Sequence, residues 1–228
     1  VEALGKMHWR EAFGALLSTS APLPVTLAAL SRMKAKEAIP WIVELLRSDD
    51  QDVRRAAIGA LYYLDVDLDE ALTKKLIKRV HDRNWKVRVV ALKTLARASP
   101  IQEVVQTVLV ATEDSTPQVR IEAYRALGLL CPSDAVNDLA TGLRDVNINA
   151  RIAAVRALGK ADNRSALRLV QPLRFRPDPL SYAAEEAMAR LAGSDEDYFS
   201  GITGLPVEYS SEAGRESFLR APIPTARL

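Results

Sequence analysis

Apolar and polar positions along this chain recur in a nine-residue phrase that returns about every thirty residues. The first clear copy is VRRAAIGAL at residues 53–61, and later copies begin at residues 87, 119, 150 and 183. The steps between copies are therefore 34, 32, 31 and 33 residues. In the first copy, counted from zero, positions 0, 4, 5, 8 and 11 are apolar, which places them on one face of an α-helix. The phrase predicts five amphipathic helices, called B helices below.

A second apolar stretch precedes each of the first four B helices, with apolar residues three and four apart. These stretches occupy residues 39–46, 71–77, 104–109 and 135–140. Their spacing is helical, and nothing in the array alternates with period two for long enough to suggest strands. Each unit is therefore an A helix, a short turn and a B helix, and the fixed period predicts a stacked repeat array.

Two positions of the phrase have the same residue in all five copies, and both favour close helix packing. Position 8 is leucine throughout, which we interpret as the core anchor. Position 4 is alanine throughout, and a small side chain there lets neighbouring helices approach closely. The alanines are Ala57, Ala91, Ala123, Ala154 and Ala187.

An aspartate lies six residues before the repeated arginine at position 1 of the phrase. The three full pairs are Asp82 with Arg88, Asp114 with Arg120, and Asp145 with Arg151. The first copy has Arg54 but Ser48 in the aspartate position, and the last has Asp178 but Ala184 in the arginine position. We expect the aspartate to accept backbone donors in the turn or to cap the B helix, and the arginine to fork onto the carboxylate. Repetition favours a structural ladder over a catalytic set.

The Asp-to-Arg ladder, the Val-Arg-x-x-Ala-x-x-x-Leu phrase and Pro40 in the first A helix together resemble the HEAT repeat. The likeness is to the short bacterial kind that also occurs in phycobilisome lyase proteins of the E/F type. It covers residues 35–193 well. The resemblance implies an all-α fold, a right-handed α-solenoid of about five to six helical hairpins, with the B helices lining the concave face.

A weaker copy precedes the array, with a B helix at residues 22–33 and an A helix at residues 8–17. We therefore predict an N-terminal capping repeat at residues 1–34, the repeat array at 35–193, and an irregular segment at 194–228. The apolar residues of that last segment favour a cap over the open end of the array. The alternative is a partner-binding peptide.

The sequence shows no set of residues with the spacing that catalysis or metal binding requires. His8 and His81 are the only histidines, and no glycine-rich phosphate loop is present. We therefore predict no enzyme activity and no cofactor. Cys131 has no second cysteine with which to form a disulfide. No apolar run approaches a membrane span, and no secretory signal precedes the array, so the compartment stays open with the cytoplasm favoured.

The strip of the B helices opposite the core is the candidate binding surface. Positions 6 and 10 carry a cationic stripe across the middle repeats, with two tyrosines near one end. The candidate residues are Lys93, Arg97, Arg125, Arg156, Lys160, Tyr62 and Tyr63. Helices also need charged outer faces for solubility, and that simpler interpretation stays open. The functional interpretation is an acidic ligand, such as a protein segment, a carboxylate-bearing cofactor or a phosphate backbone.

Three functions are compatible with these patterns. The first is a non-enzymatic protein-binding scaffold or assembly factor, whose partner presents an acidic segment. The second, suggested only by the resemblance, is a subunit of a bilin lyase or another chromophore-handling complex. The third is a DNA-binding HEAT-like module, which the net charge of +2 disfavours. We rank the three in that order.

Overall fold

The computed structural model describes residue 14 and residues 22–130, 134–161, 164–175 and 178–191. These residues form eleven α-helices and two short 3₁₀ helices, without a strand. They belong to two compact units, Val1–Cys131 and Pro132–Leu228. Cys131 and the predicted segment 194–228 lie outside the described residues, as does the predicted helix at 8–17 except for residue 14.

The described residues of the first unit form four B helices and three A helices that alternate along the chain. Its helices are α1 Leu23–Arg32, α2 Ile39–Leu45, α3 Gln51–Tyr63, α4 Glu70–Val80, α5 Trp85–Leu95, α6 Gln102–Ala111 and α7 Pro117–Leu130. The B helices α1, α3, α5 and α7 pack side by side in chain order. The A helices α2, α4 and α6 each pack against the B helix that follows. Helix α1 lies where the weak sixth copy predicts a B helix.

In the second unit, the part of the chain that the structure describes forms two A helices and two B helices. They are α8 Val136–Gly142, α9 Ile148–Leu158, α10 Arg164–Val170 and α11 Leu180–Leu191. Helix α9 packs against α8, α10 and α11, so it is the central element of this unit. The architecture of both units is that of an α-solenoid, a stack of helical hairpins.

The B helices contribute to the core the positions that the repeat pattern marks as apolar. In α3 and the residue after it these are Val53, Ala57, Ile58, Leu61 and Leu64, none of which is more than 4% exposed. Apolar residues of the A helices, such as Ile42 and Leu76, complete it. The alanine at position 4 is likewise buried in the five B helices from α3 to α11. The Ala side chain allows the B helices to stack closely, because it adds a single carbon to the interface between neighbours.

Polar residues in the turns determine where the B helices begin. The side chains of Asp50, Asn84 and Asn147 cap α3, α5 and α9 by accepting a hydrogen bond from a backbone N–H in the first turn. Such caps satisfy donors that have no partner inside the helix. None of the described helices has the length and hydrophobicity needed to cross a bilayer.

Two glycines provide a matched test of packing between B helices. A methyl group added to Gly159 would lie 2.7 Å from the backbone Cα of Ala187, whereas one added to Gly59 would have no atom within 4 Å. We expect Gly159→Ala to lower the free energy of unfolding by about 1–3 kcal/mol through overpacking. Gly59→Ala should instead raise it by about 0.5–1 kcal/mol, because alanine favours helix more than glycine does.

Urea unfolding monitored by circular dichroism measures both changes. A Gly159→Ala chain as stable as the parent would mean that α9 and α11 can separate without loss, contrary to the close approach described here.

Candidate functional site

The arginine at position 1 of the phrase in α3, α5, α7 and α9 first holds the turn of its own repeat. The Nη1 atoms of Arg54, Arg88, Arg120 and Arg151 donate to the backbone carbonyl six residues earlier, at N···O distances of 2.8, 3.0, 2.9 and 2.6 Å. In the last three repeats that carbonyl belongs to the ladder aspartate, Asp82, Asp114 or Asp145. Position 1 of the phrase thus ties the start of the B helix to the end of the A helix.

The same guanidinium also reaches the aspartate of the next repeat. Arg54 donates through Nε and Nη2 to the two carboxylate oxygens of Asp82, at 2.7 and 2.8 Å. Arg88 makes the equivalent pair with Asp114, at 2.8 and 2.9 Å. The sequence pattern predicts that the arginine forks onto the aspartate of its own repeat. The carboxylate partner of Arg54 and of Arg88 lies instead in the following repeat. The reason is geometric, since the turns of successive repeats lie side by side when the hairpins stack.

Each ladder aspartate also organises its own turn. Its Oδ1 accepts the backbone N–H two residues later, at Asn84, Thr116, Asn147 and Leu180. Burial alone would raise the pKa of Asp82, but the fork from Arg54, the N–H of Asn84 and the charges of Arg54 and Arg79 outweigh it and lower that pKa below its ordinary value. Asp114 has a lowered pKa against the same effect of burial, through Arg88 and Thr116. These carboxylates are held ionised as structural acceptors.

Lys93 and Arg97, the first two cations of the stripe, lie against Tyr62 in the first unit. The Lys93 ammonium lies 4.6 Å from the centroid of the Tyr62 ring, and the Arg97 guanidinium carbon lies 5.4 Å from it. Arg97 also donates to the Tyr62 carbonyl and forms an ion pair with Asp65. The ring of Tyr63 meets that of Tyr62 edge to face, with centroids 5.5 Å apart. Two cations and two aromatic rings thus form one cluster.

The remaining stripe residues are exposed, and two of them have acidic partners within the chain. Arg125 pairs with Glu122 at 3.2 Å in the first unit. In the second unit, Arg156 pairs with Glu186 at 3.1 Å, and Lys160 is exposed near the end of α9. The charge of the stripe is therefore partly compensated by neighbouring carboxylates, which the spacing of cations alone does not reveal.

A groove of about 790 Å³ runs across the B helices of the first unit, next to Tyr62. We call it the Gly59 groove, after the glycine of α3 that borders it. Helices α1, α3 and α5 and the residues after α1 contribute its lining, which includes Arg32, Lys34, Arg55, Tyr62, Tyr63 and Lys93. Among the residues that the structure describes, no three His, Cys, Asp or Glu side chains come together as a metal site.

A model of HEAT repeats matches the sequence at residues 73–146 and 107–192, which together span just over half of the chain. The chain belongs to the HEAT-repeat family. A HEAT repeat-containing taxis protein of Halobacterium salinarum is 33% identical over 129 residues, which is 55% of this chain and 27% of that protein. The chain thus spans about a quarter of the length of this relative.

Solved structures with the same fold include natural and engineered helical repeats. The complex of CpcE and CpcF of phycocyanin lyase from Nostoc sp. PCC7120 has a TM-score of 0.60 and 22% identity, over 68% of this chain and 65% of that one. An engineered protein has a TM-score of 0.58 and 20% identity, over 80% of this chain and 96% of its own. Identities at this level establish the HEAT-like fold and not a shared activity.

The repeat pattern of the HEAT array does not predict Arg32, Lys34, Arg55 and Gly59 as residues of a binding surface, although all four line the groove. A signal was present at position 6 of the phrase, where Gly59 stands in the place of Lys93, Arg125 and Arg156. Lys34 follows α1 with a positive φ of 52°, which leaves no trace in helical periodicity. These residues come together only when three B helices stack.

Replacing a ladder aspartate tests whether the arginine fork stabilises the HEAT stack. Asp82 is buried and Arg54 nearly so, and we expect Asp82→Asn to lower the free energy of unfolding by about 3 kcal/mol at pH 7. Because the pKa of Asp82 is lowered in the folded state, its contribution is fully present above the ordinary aspartate pKa of about 3.9 and is lost as the pH falls through the folded value.

Urea unfolding between pH 7 and pH 3 should therefore show the parent and Asp82→Asn converging at low pH. Asp67→Asn removes an exposed carboxylate and should change stability by less than about 0.5 kcal/mol. A constant difference between the parent and Asp82→Asn at every pH would contradict the ionic role of Asp82.

Proposed function

We propose that this HEAT-repeat chain is a non-enzymatic protein-binding scaffold or assembly factor whose B-helix face holds the partner. The observation that carries the proposal is the cluster of Tyr62, Tyr63, Lys93 and Arg97 beside the Gly59 groove. Aromatic rings and basic groups together on an exposed surface are typical of protein interfaces. A partner with an acidic segment complements this surface.

The described residues also favour binding over chemistry. Their ladder carboxylates accept hydrogen bonds from arginine side chains and backbone N–H groups, as expected of residues that keep the repeat rigid. A repeat array presents a long continuous surface, and such surfaces suit extended partners. Arg125 in the first unit, and Arg156 and Lys160 in the second, are part of this proposal as additional contacts on the exposed faces of their B helices.

A subunit of a bilin lyase or another chromophore-handling complex is the second candidate. The fold likeness to CpcE and CpcF supports it, because those HEAT-like proteins belong to phycocyanin lyase. This candidate predicts that the purified complex absorbs visible light and contains an open-chain tetrapyrrole. A colourless complex with a protein partner favours the scaffold.

Charge reversal on the B-helix strip tests the proposal. We expect Lys93→Glu, Arg125→Glu and Arg156→Glu together to reduce capture of the protein partner from lysate of the source organism by about tenfold or more, because hot-spot contacts dominate affinity. The readout is quantitative mass spectrometry of the captured proteins, with an absorption spectrum of the eluate.

The matched control reverses three exposed cations on A helices or in the turns after them, Arg47→Glu, Lys78→Glu and Arg144→Glu. It makes the same change in net charge and should leave capture of the partner intact. Equal loss in both triple variants would indicate a non-specific charge effect, and undiminished capture by the strip variant would exclude the B-helix strip as the site.

A further inference from the structure

The Gly59 groove combines a concave surface, a one-signed charge and an apolar lining. Its wall residues include the cations Arg32, Lys34, Arg55 and Lys93, and among the described residues it has no aspartate or glutamate in the lining. This local charge contrasts with the nearly balanced whole chain, whose net charge is +2. An anionic occupant is therefore favoured at this surface.

The groove also has an apolar lining, so an occupant that fits it needs apolar surface as well as negative charge. Ala28 of α1, Ala56 and Ala60 of α3 and Val90 of α5 contribute carbon surface between the cations. Gly59 leaves open space at the centre, since a methyl group added there meets no atom within 4 Å. A side chain with apolar area is needed to fill this space.

Two features of the groove are unfavourable for the isolated chain. Arg55 pairs through Nη2 with Asp52 at 3.4 Å, but its buried Nε has no hydrogen-bond acceptor among the described residues. Lys34 has a φ of 52° at the end of α1, where the backbone bonds from Lys34 to Ser31 and from Ala35 to Leu30 form a helix-ending motif that favours glycine. The same motif ends α3 at Asp65, which has a φ of 54° and lies outside the lining, so what is specific to the groove is the positive charge that Lys34 adds to its wall.

We infer that the Gly59 groove binds a short acidic peptide segment in which carboxylates flank an aromatic or large aliphatic side chain. The inference rests on the proposed protein-binding function and specifies the chemistry of the partner. The carboxylates pair with Lys34, Arg55 and Lys93, and the apolar side chain occupies the space over Gly59. Packed helices are about 8–10 Å apart, so an extended segment of about five or six residues crosses the three B helices.

Nucleic acid fits the same surface less well. Its bases bind single-strand sites by stacking on exposed aromatic faces. The ring of Tyr62 is already contacted by Lys93 and Arg97, and the edge of one tyrosine ring meets the other. The carbon surface of Ala28, Ala56 and Val90 also has no counterpart in a phosphodiester backbone.

The direct test titrates the full chain into a fluorescein-labelled ten-residue peptide with one phenylalanine between glutamates, followed by fluorescence polarisation. We expect saturable binding that weakens about tenfold or more when the phenylalanine is replaced by alanine or the glutamates by glutamine. A labelled ten-residue oligothymidine measures the nucleic-acid alternative. No peptide binding at about 1 mM chain, or tighter binding of the oligonucleotide at the groove, overturns the inference.

Filling the groove distinguishes shape from charge. Gly59→Leu should reduce peptide binding about tenfold or more, because its side chain occupies the space that the apolar residue needs. Gly59→Ala adds only one carbon in the same space and should weaken binding less than Gly59→Leu does, so the loss should grow with the volume of the side chain. Peptide binding to Gly59→Leu with parental affinity overturns the placement of the peptide.

Lys34→Gly gives a readout that a purely structural role would not produce. Glycine relieves the positive φ, so the chain should become more resistant to urea while its peptide binding weakens severalfold. Lys36→Gln removes a nearby exposed cation outside the lining and should leave binding unchanged. If Lys34→Gly binds the peptide as the parent does, Lys34 is not part of the site.

The same variants separate this inference from the proposed function. If Gly59→Leu binds the peptide normally while the three-residue charge reversal abolishes capture of the partner, the scaffold function holds and the groove assignment fails. If the peptide binds only to an unfilled groove, but Arg125→Glu with Arg156→Glu has no effect on partner capture, the groove assignment holds and the wider strip fails. This double variant leaves Lys93 and the rest of the groove lining unchanged.

Discussion

The fold depends on one guanidinium group that serves two repeats at once. In the first unit, Nη1 of Arg54 is committed to the backbone of the turn in its own hairpin, and Nε and Nη2 are committed to Asp82 in the next. Arginine suits this position because its planar fork presents several donors in fixed directions, which a lysine does not. The hydrophobic stripe brings hairpins together, and the guanidinium determines the register in which their turns meet.

Helical periodicity was sufficient to predict the buried surface. Val53, Ala57 and Leu61 share a face at 100° per residue, and that angle belongs to the helix whatever surrounds it. The repeat period also predicts a B helix close to α1, which begins at Leu23, even though that copy has lost its arginine. The turn bonds of the ladder aspartates required only local rules, since each aspartate accepts from the backbone N–H two residues later.

The partner of each arginine and the shape of the binding surface could not be obtained in this way. Arg54 is nearer in sequence to Ser48 and Asp49 than to Asp82. Only the stacking of hairpins brings the Asp82 carboxylate to 2.7 Å from the Arg54 Nε. The Gly59 groove likewise requires α1, α3 and α5 together, and its glycine is informative only when compared with Lys93 in the neighbouring helix. Side-chain compensation, such as Glu186 on Arg156, also depends on which residues of adjacent helices face one another.

The forward reach of the arginine has an evolutionary consequence. The repeat that contains Asp82 and Arg88 has an acceptor for the preceding repeat and a donor for the following one. Duplication of this repeat by unequal recombination would therefore create a new interface that is already complete on both sides. Ser48 and Ala184 lack the acceptor and the donor respectively. Inserting either of the two outermost copies of the phrase in the middle of the array would therefore leave one interface without its arginine–aspartate pair. The array can grow with all such pairs intact only by duplication of internal repeats.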